Sequence, residues 1–217
     1  MAMPATTGQL RTRIQDMQIG DYIYGYYDKS TSSWGAGQQK GVEFPVTGMP
    51  ASTFDTGFFY YVKVYTGLLV ADRIVQSTQS WDTLNGSSRV IQGRPEVFDG
   101  VSGIFRSLTG GVAYADVNGN RSTTDTSLGG WPENNEFDSY ITNFRVDKIQ
   151  QGRTINDVFH HDTMYTWVQD TPILSITDSA KRIYRGVNSI GIRWITNASS
   201  FSNATVGFRP VFEYKEV

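Results

Sequence analysis

The chain has 217 residues, enough for one large domain or two small ones, and no Pro-rich or charge-rich linker divides it. A formal net charge of −2 gives no electrostatic case for a nucleic-acid partner, and the absence of cysteine excludes a disulfide framework, Cys-ligated zinc and a thiol nucleophile. Aromatic residues make up 13% and glycine occurs 22 times, which is typical of a β-rich protein, whereas a charged fraction of only 18% favours an oligomer or a subunit of a larger particle.

The amino terminus carries no export signal that we can identify. The first seven residues lack the basic and apolar regions of a signal peptide, and no apolar run reaches the roughly 20 residues that a membrane span needs. The sequence therefore predicts a protein that is made in a cytoplasm and does not insert into a membrane. If it works outside a cell, we expect it to leave by lysis as part of a particle.

Residues 1–18 are predicted to form an N-terminal helix or arm. Leu10, Ile14 and Met17 recur at helical spacing, and two threonines precede them as candidate caps. Such a segment either lies on the edge of its own domain or docks on a neighbouring subunit. We expect residues 19–217 to form a single domain, since no linker interrupts them.

Aromatic and alternating stretches predict strands in the first half of the chain. A strand is expected at 19–27, and residues 58–72 form a predicted hairpin that turns at Gly67. Ser80 is placed to cap a short helix. Residues 101–108 fit either a helix or a strand.

The second half of the chain combines one predicted helix with several strands. Residues 134–141 form the helix, capped by Asn134 or Asn135, with three apolar residues toward the core: Phe137, Tyr140 and Ile141. Strands are predicted at 163–168, 181–184, 190–195 and 206–214. In the last, period two places Val206, Phe208, Phe212 and Tyr214 on one face and Arg209, Val211 and Glu213 on the other. This mixture of short helices and strands predicts an α+β domain that ends in an antiparallel sheet.

A small, polar stretch at 196–205 lies between the last two predicted strands. Such a segment is typical of a surface loop on a rigid scaffold, where binding residues often lie. Aromatic side chains among Asn and Ser suit contact with a carbohydrate or a protein. The candidate ligand-binding residues are Trp194, Asn197, Ser199, Ser200, Phe201 and Asn203. The alternative is that Trp194 is a core residue and Phe201 holds the loop down.

Three other groups were weighed as chemical sites. His160 and His161 would point to opposite faces of a strand, so an exposed turn is favoured over a metal site. Residues 116–120 supply the first ligands of a calcium loop but lack its later Gly and Glu, which leaves a polar turn as the simpler interpretation. The carboxylates of Asp82, Glu136, Asp138 and Asp170 are expected to be caps or turn residues. We therefore predict no catalytic residue, no metal and no cofactor.

Several short motifs carry a resemblance to a known family. They are N-E-F-D at 135–138, Y-T-W at 165–167, R-I-Y-R-G at 182–186 and G-F-R at 207–209. Their order resembles that of the formylglycine-generating-enzyme-like branch of the C-type lectin fold, with Val187 where the pattern has a second glycine. The whole chain is also similar to phage virion proteins that begin with R-x-x-D-M-Q-x-G-D, here 13–21, and contain A-D-R and S-W-D-T-L-N, here 71–73 and 80–85.

The resemblance implies a lectin-like domain that brings the strands at 21–27 and 206–214 together in one sheet. It implies a non-enzymatic virion protein of a tailed phage, which attaches to a glycan or protein on the host surface and contacts other virion proteins. The enzymes of that branch work through cysteines, which this chain lacks. The alternatives are a purely structural decoration or baseplate subunit and, third, a glycan hydrolase. A homo-oligomer is expected, with a trimer favoured because fibres and spikes usually are trimers.

Overall fold

The computed structural model describes residues 2–50, 55–86, 89–112, 118, 134–171, 180–186 and 194–216, with only the backbone described at 194–196. In chain order the strands are β1 (Leu10–Arg11), β2 (Tyr22–Asp28), β3 (Ser33–Ala36), β4 (Val42–Glu43), β5 (Met49–Pro50), β6 (Gly57–Tyr65), β7 (Leu68–Ala71), β8 (Gln76–Ser77), β9 (Arg94–Phe98), β10 (Val101–Arg106), β11 (Tyr165–Trp167), β12 (Lys181–Arg185), β13 (Trp194–Ala198), β14 (Val206–Phe208) and β15 (Val211–Tyr214). The helices are short: a 3-10 helix at Ile14–Asp16, α1 (Trp81–Asn85), a π-helix at Asp138–Thr142, a 3-10 helix at Val146–Lys148 and α2 (Asn156–Phe159). Within these residues, no helix has the length and apolar character needed to cross a membrane.

The strands form two mixed sheets, and the larger one curls into a half-barrel. The nine-stranded sheet has the order β1-β2-β6-β7-β15-β10-β9, with β3 paired to β2 and β4 paired to β6. The six-stranded sheet has the order β13-β12-β11-β14-β8-β5. The prediction of strands with a few short helices is confirmed, and strands make up most of the regular structure.

Strand β6 is buried on both faces because it lies inside the nine-stranded sheet. Phe59 and Tyr61 belong to an aromatic core to which both sheets contribute. Val62 and Val64 point the other way, into a second core beneath the helical segments. The molecule is therefore layered, with the nine-stranded sheet between the six-stranded sheet and the π-helix and α2, whereas α1 and the 3-10 helix at Ile14–Asp16 contribute to the core between the two sheets.

Two local predictions are confirmed, and an alternative that the sequence leaves open is decided. β6 and β7 form the expected hairpin, and Gly67 in the turn has φ of +66°, a left-handed conformation that favours glycine. Ser80 caps α1, since its hydroxyl accepts a hydrogen bond of 3.0 Å from the backbone N–H of Thr83. Residues 101–108, which fitted a helix or a strand, contain strand β10.

The predicted terminal strand at 206–214 is interrupted at Pro210. Proline has no N–H to donate, and the chain passes here from β14 in the six-stranded sheet to β15 in the nine-stranded sheet. The predicted faces hold on both sides of the break, because the four residues placed together belong to the core between the sheets, namely Val206, Phe208, Phe212 and Tyr214. β15 shares its sheet with β2, with β6 and β7 between them.

The predicted N-terminal helix within residues 1–18 is wrong. Leu10 is 39% exposed and lies in strand β1, which pairs in parallel with β2, and helical structure is limited to the 3-10 turn at Ile14–Asp16. Ile14 and Met17 are buried, as the helical spacing also required. The segment packs against its own domain.

Asp21 holds this segment in its extended form. Its buried carboxylate accepts hydrogen bonds from the backbone N–H of Gln9 at 2.8 Å and of Gln18 at 2.9 Å, and from Nε of Arg11 at 2.7 Å. Burial alone would raise the pKa of Asp21, but these bonds and the Arg11 charge together lower it. Periodicity could not reveal this clamp, because its groups come from four separate positions.

Replacing Asp21 by Ala is expected to reduce the free energy of unfolding by about 2–4 kcal/mol, because the substitution leaves two N–H groups and the Arg11 guanidinium without their acceptor. Urea denaturation measures the loss. The matched control is Asp16→Ala, which removes an exposed carboxylate from the adjacent turn and should change stability by no more than about 0.5 kcal/mol.

The same clamp predicts a pH dependence. Since the pKa of Asp21 is lower in the folded chain, its contribution is complete above pH ~4 and is lost as the pH falls through the folded-state pKa. The difference in free energy of unfolding between the wild type and Asp21→Ala should therefore become smaller in acid. Equal losses from the Asp21 and Asp16 variants would contradict the clamp.

Candidate functional site

The predicted polar loop is shorter and more ordered than the sequence indicates. β13 continues to Ala198, so Asn197 lies in a strand and the loop begins at Ser199 rather than at 196. The backbone N–H of Phe201 donates to the carbonyl of Ala198 at 2.9 Å, and that of Val206 donates to the carbonyl of Asn203 at 3.1 Å. Two successive turns therefore fix the course of residues 199–205.

Phe201 anchors the loop to the core. Its half-buried ring stacks on Tyr184, with 6.4 Å between the ring centroids and 13° between the planes. Tyr184 is buried, and its hydroxyl is hydrogen-bonded to the side chain of Asn197. Phe201 was interpreted either as a ligand contact or as a residue that holds the loop down. These contacts favour the second interpretation, although part of the ring remains exposed.

The loop is also tied to helix α1. The Ser199 hydroxyl donates to Oδ2 of Asp82 at 2.8 Å, and the Asp82 backbone N–H donates to the Ser199 carbonyl at 3.1 Å. Asp82 was predicted only as a first-turn helix residue, so its contact with the loop was missed. No local pattern links two residues 117 positions apart.

The remaining predicted residues differ in what they present. Ser200 is exposed. Asn203 is exposed too, but its Oδ1 accepts from the N–H and hydroxyl of Thr205, each at 2.8 Å, so its NH₂ group is the part turned outward. Trp194 lies opposite Arg185 in the β12–β13 ladder, and its side chain lies outside the described residues.

We name this surface the C-terminal face and define it by Asp82, Asn197, Ser199, Ser200, Phe201 and Asn203. It offers hydroxyl and amide groups and the exposed carboxylate of Asp82 around one half-buried aromatic ring, on a loop whose course is held by hydrogen bonds. That composition suits contact with a polar ligand, because the hydrogen-bonding groups are adaptable and the ring supplies apolar area.

The N-E-F-D and R-I-Y-R-G motifs bind each other inside the molecule. Arg185 is fully buried and donates from both terminal nitrogens to the carboxylate of Asp138, with Nη1 at 3.2 Å from Oδ2. Asn135 caps the segment, since its Oδ1 accepts from the Asp138 N–H at 3.0 Å. Phe137 lies 4.7 Å beneath the guanidinium of Arg185. Asn135, Phe137, Asp138 and Arg185 therefore build the scaffold, and of the R-I-Y-R-G residues it is Tyr184 that contacts the C-terminal face.

The A-D-R and G-F-R motifs meet in a second buried cluster. Arg73 donates to the carboxylate of Asp72, to the carboxylate of Glu43 at 2.9 Å and to the carbonyl of Phe44 at 2.7 Å. Arg209 is fully buried and donates to the carbonyl of Ala71 at 2.7 Å. Burial lowers the pKa of Arg209 to about 10.

Two further carboxylates that were weighed as catalytic groups are engaged within the chain. Glu136 binds Arg106 and accepts from the N–H of Thr109 at 2.9 Å. Asp170 accepts from the N–H of Gly110 at 2.6 Å, and burial raises its pKa. Both hold backbone segments in place.

The histidine pair is not an exposed turn, contrary to the prediction. His161 is only 3% exposed, and its Nδ1 lies 2.8 Å from Oδ1 of Asp162. His160 takes a left-handed conformation with φ of +44° after α2, which turns its ring inward to within 4.0 Å of Asp72. Within the described ranges, no group of three or more His, Asp or Glu side chains suits a metal ion. The candidate calcium loop at 116–120 lies outside the described residues, apart from Asn118.

Breaking the Arg185–Asp138 pair should be costly. Asp138→Ala is expected to lower the free energy of unfolding by about 3–5 kcal/mol, because it leaves a buried arginine without its counter-charge. Combining Asp138→Leu with Arg185→Met should cost less than the sum of the single changes. The matched control is the exposed pair of Arg145 and Asp147, 2.8 Å apart, where Arg145→Ala should cost less than about 1 kcal/mol. Similar losses at both pairs would contradict the structural role.

The two histidines predict a loss of stability in mild acid. Burial lowers the pKa of both, against the opposing pull of Asp72 and Asp157 on His160 and of Asp162 on His161. Arg73 and Arg209 lower the pKa of His160 further, and Arg209 and His160 do the same for His161. Below pH ~6.5 the unfolded chain therefore binds more protons than the folded chain, so stability falls as the pH drops through this range.

Urea denaturation between pH 7 and pH 5 measures this effect, and these are the only two histidines in the chain. The fall should be smaller in His161→Gln, which removes one of the groups. A wild type whose stability is flat across this range would contradict the burial of the pair.

Comparison with known proteins adds no relative. No protein-family model, curated protein or solved structure matches the chain. The function proposed below therefore depends on the motifs, the contacts and the surface described above.

Proposed function

We propose that the chain is a non-enzymatic protein of a tailed phage particle, in which a C-type-lectin-like domain presents the C-terminal face to a glycan or protein on the host surface. The observation that carries the proposal is a polar, exposed loop held on a rigid frame. Ser199 is bonded to Asp82 and Phe201 is stacked on Tyr184, while Ser200 remains exposed. Preformed loops lose little entropy when they bind a ligand.

The placement of the motifs supports the lectin-like part of the proposal. The motif residues Asp138, Arg185, Arg73 and Arg209 are all buried and contact one another's segments. Motifs that fix a scaffold allow the surface loops to carry the specificity, which is how binding folds divide these tasks. A protein that attaches by this face needs no cofactor or metal.

A purely structural role in the virion is the second candidate, and the charged fraction of only 18%, which favours an oligomer or a subunit of a larger particle, supports it. Light scattering at micromolar concentration tests the proposed homo-oligomer, for which a trimer is favoured.

Attachment should be lost when the C-terminal face is blocked. Ser200→Arg combined with Ser202→Arg places two bulky side chains on the exposed loop without touching Phe201, and should reduce binding to isolated bacterial cell walls at least about tenfold. The matched control adds the same charge at two exposed positions outside the C-terminal face, Thr12→Arg after β1 and Gln151→Arg in the turn before α2, and should bind like the wild type.

Phe201→Ala separates contact from packing. Because the ring is half-buried, the free energy of unfolding of the variant should fall by less than the ~3–5 kcal/mol that truncating a fully buried phenylalanine costs. The variant should nevertheless bind cell walls more weakly than the wild type. A wild type that binds no cell wall in a panel of preparations but joins phage particles would favour the structural role. Release of reducing sugar from the walls would overturn the non-enzymatic assignment.

A further inference from the structure

The curled nine-stranded sheet leaves a seam where its two sides approach each other. β3 pairs with β2 and β9 pairs with β10, and in the part of the chain that the structure describes no ladder joins β3 to β9, although the two strands are neighbours. A cavity of about 220 Å³ lies at this seam and is bounded on its other side by β8 and α1. The mouth of an incompletely closed barrel is a common place for a ligand.

One wall of the seam cavity is aromatic and rigid. Tyr27 and Trp34 line it, with 5.0 Å between their ring centroids. Trp34 is also packed against the core, at 5.4 Å from Phe105 and 6.1 Å from Phe208. The ring is therefore held in position before any ligand arrives, which reduces the entropic cost of binding.

Another part of the lining carries uncharged hydrogen-bonding groups. Gln76, Gln79 and Thr83 line it, and among the described residues neither glutamine side chain has a hydrogen-bond partner. Each free amide can donate two hydrogen bonds and accept two. Arg94 also lines the cavity and is paired with Glu96 at 2.8 Å, and the other side chains of the lining are uncharged.

We propose that the seam cavity binds a single neutral saccharide ring. A sugar ring has an apolar face that can lie against Tyr27 and Trp34, and hydroxyl groups around its edge that can exchange hydrogen bonds with Gln76 and Gln79. The volume is below the ~300–1,000 Å³ typical of drug-sized ligands, which favours one ring over a longer segment.

This site is separate from the C-terminal face and does not depend on it. Helix α1 lies between the two surfaces: Asp82 contacts the loop that contains Ser199, whereas Thr83 and Leu84 line the seam cavity. A ligand in the cavity therefore need not touch the loop.

The test is saturation-transfer NMR on the full chain with four free sugars as probes: D-glucose, D-galactose, N-acetyl-D-glucosamine and L-rhamnose. The wild type should transfer saturation to at least one of them. Gln76→Ala combined with Gln79→Ala should raise the dissociation constant about tenfold or more, since two hydrogen-bonding groups are lost. Trp34 is left unchanged because its ring also packs in the core.

The matched control is Gln15→Ala combined with Gln18→Ala, the same chemical change at two exposed glutamines that line a different groove. It should bind the probe like the wild type, and all variants should give wild-type-like amide spectra. The proposal is overturned if no sugar receives saturation, or if both double variants bind it equally. If the chain binds a sugar but attaches to no cell wall, this site is supported and the attachment function is contradicted. If the chain attaches to cell walls but binds none of the sugars, the attachment function is supported and this site is contradicted.

Discussion

A buried arginine is most stable where its charge is balanced and its N–H groups find acceptors, and arginines that meet this requirement join the layers of the molecule. Arg185 in β12 reaches Asp138 in the π-helix, which lies 47 positions earlier in the chain. Arg73 after β7 reaches the carbonyl of Phe44, 29 positions earlier. Removing Asp138, or the carboxylates that Arg73 contacts, would leave an uncompensated charge in the interior. The segments that supply each arginine and its acceptors must therefore come together when the chain folds.

The passage between the two sheets depends on the same chemistry. Arg209 and Pro210 lie where the chain leaves β14 for β15. No carboxylate of the described residues pairs with Arg209, which donates to the carbonyl of Ala71 beside Asp72. Ala71 in turn donates its N–H to the carbonyl of Pro210 at 2.9 Å. The two exchanged bonds fix the end of β7 against the crossing point. These bonds thereby fix the two sheets relative to each other, and with them the position of the loop that precedes β14.

What the sequence predicts well is local. The turn at Gly67, the cap at Ser80 and the alternating faces of the terminal strand each follow from neighbouring residues, and each is present. What it misses depends on distant partners. Leu10 looked helical because its spacing is helical, yet the carboxylate of Asp21 holds that segment extended. The burial of His161, likewise, follows from tertiary packing that no short pattern reports.

Helix α1 shows why the surface chemistry was only partly visible from the sequence. Its five residues face three ways: Trp81 donates to the carbonyl of Val168 at 3.1 Å in the core, Asp82 binds Ser199, and Thr83 lines the seam cavity. A cap motif predicts that such a helix exists but not which elements surround it. Under these two proposals, one short helix separates a surface that binds a glycan or protein of the host from a cavity that binds a single saccharide ring. A site that holds one ring suits a protein present in many copies on one particle, because avidity then multiplies a modest single-site affinity without any new contact.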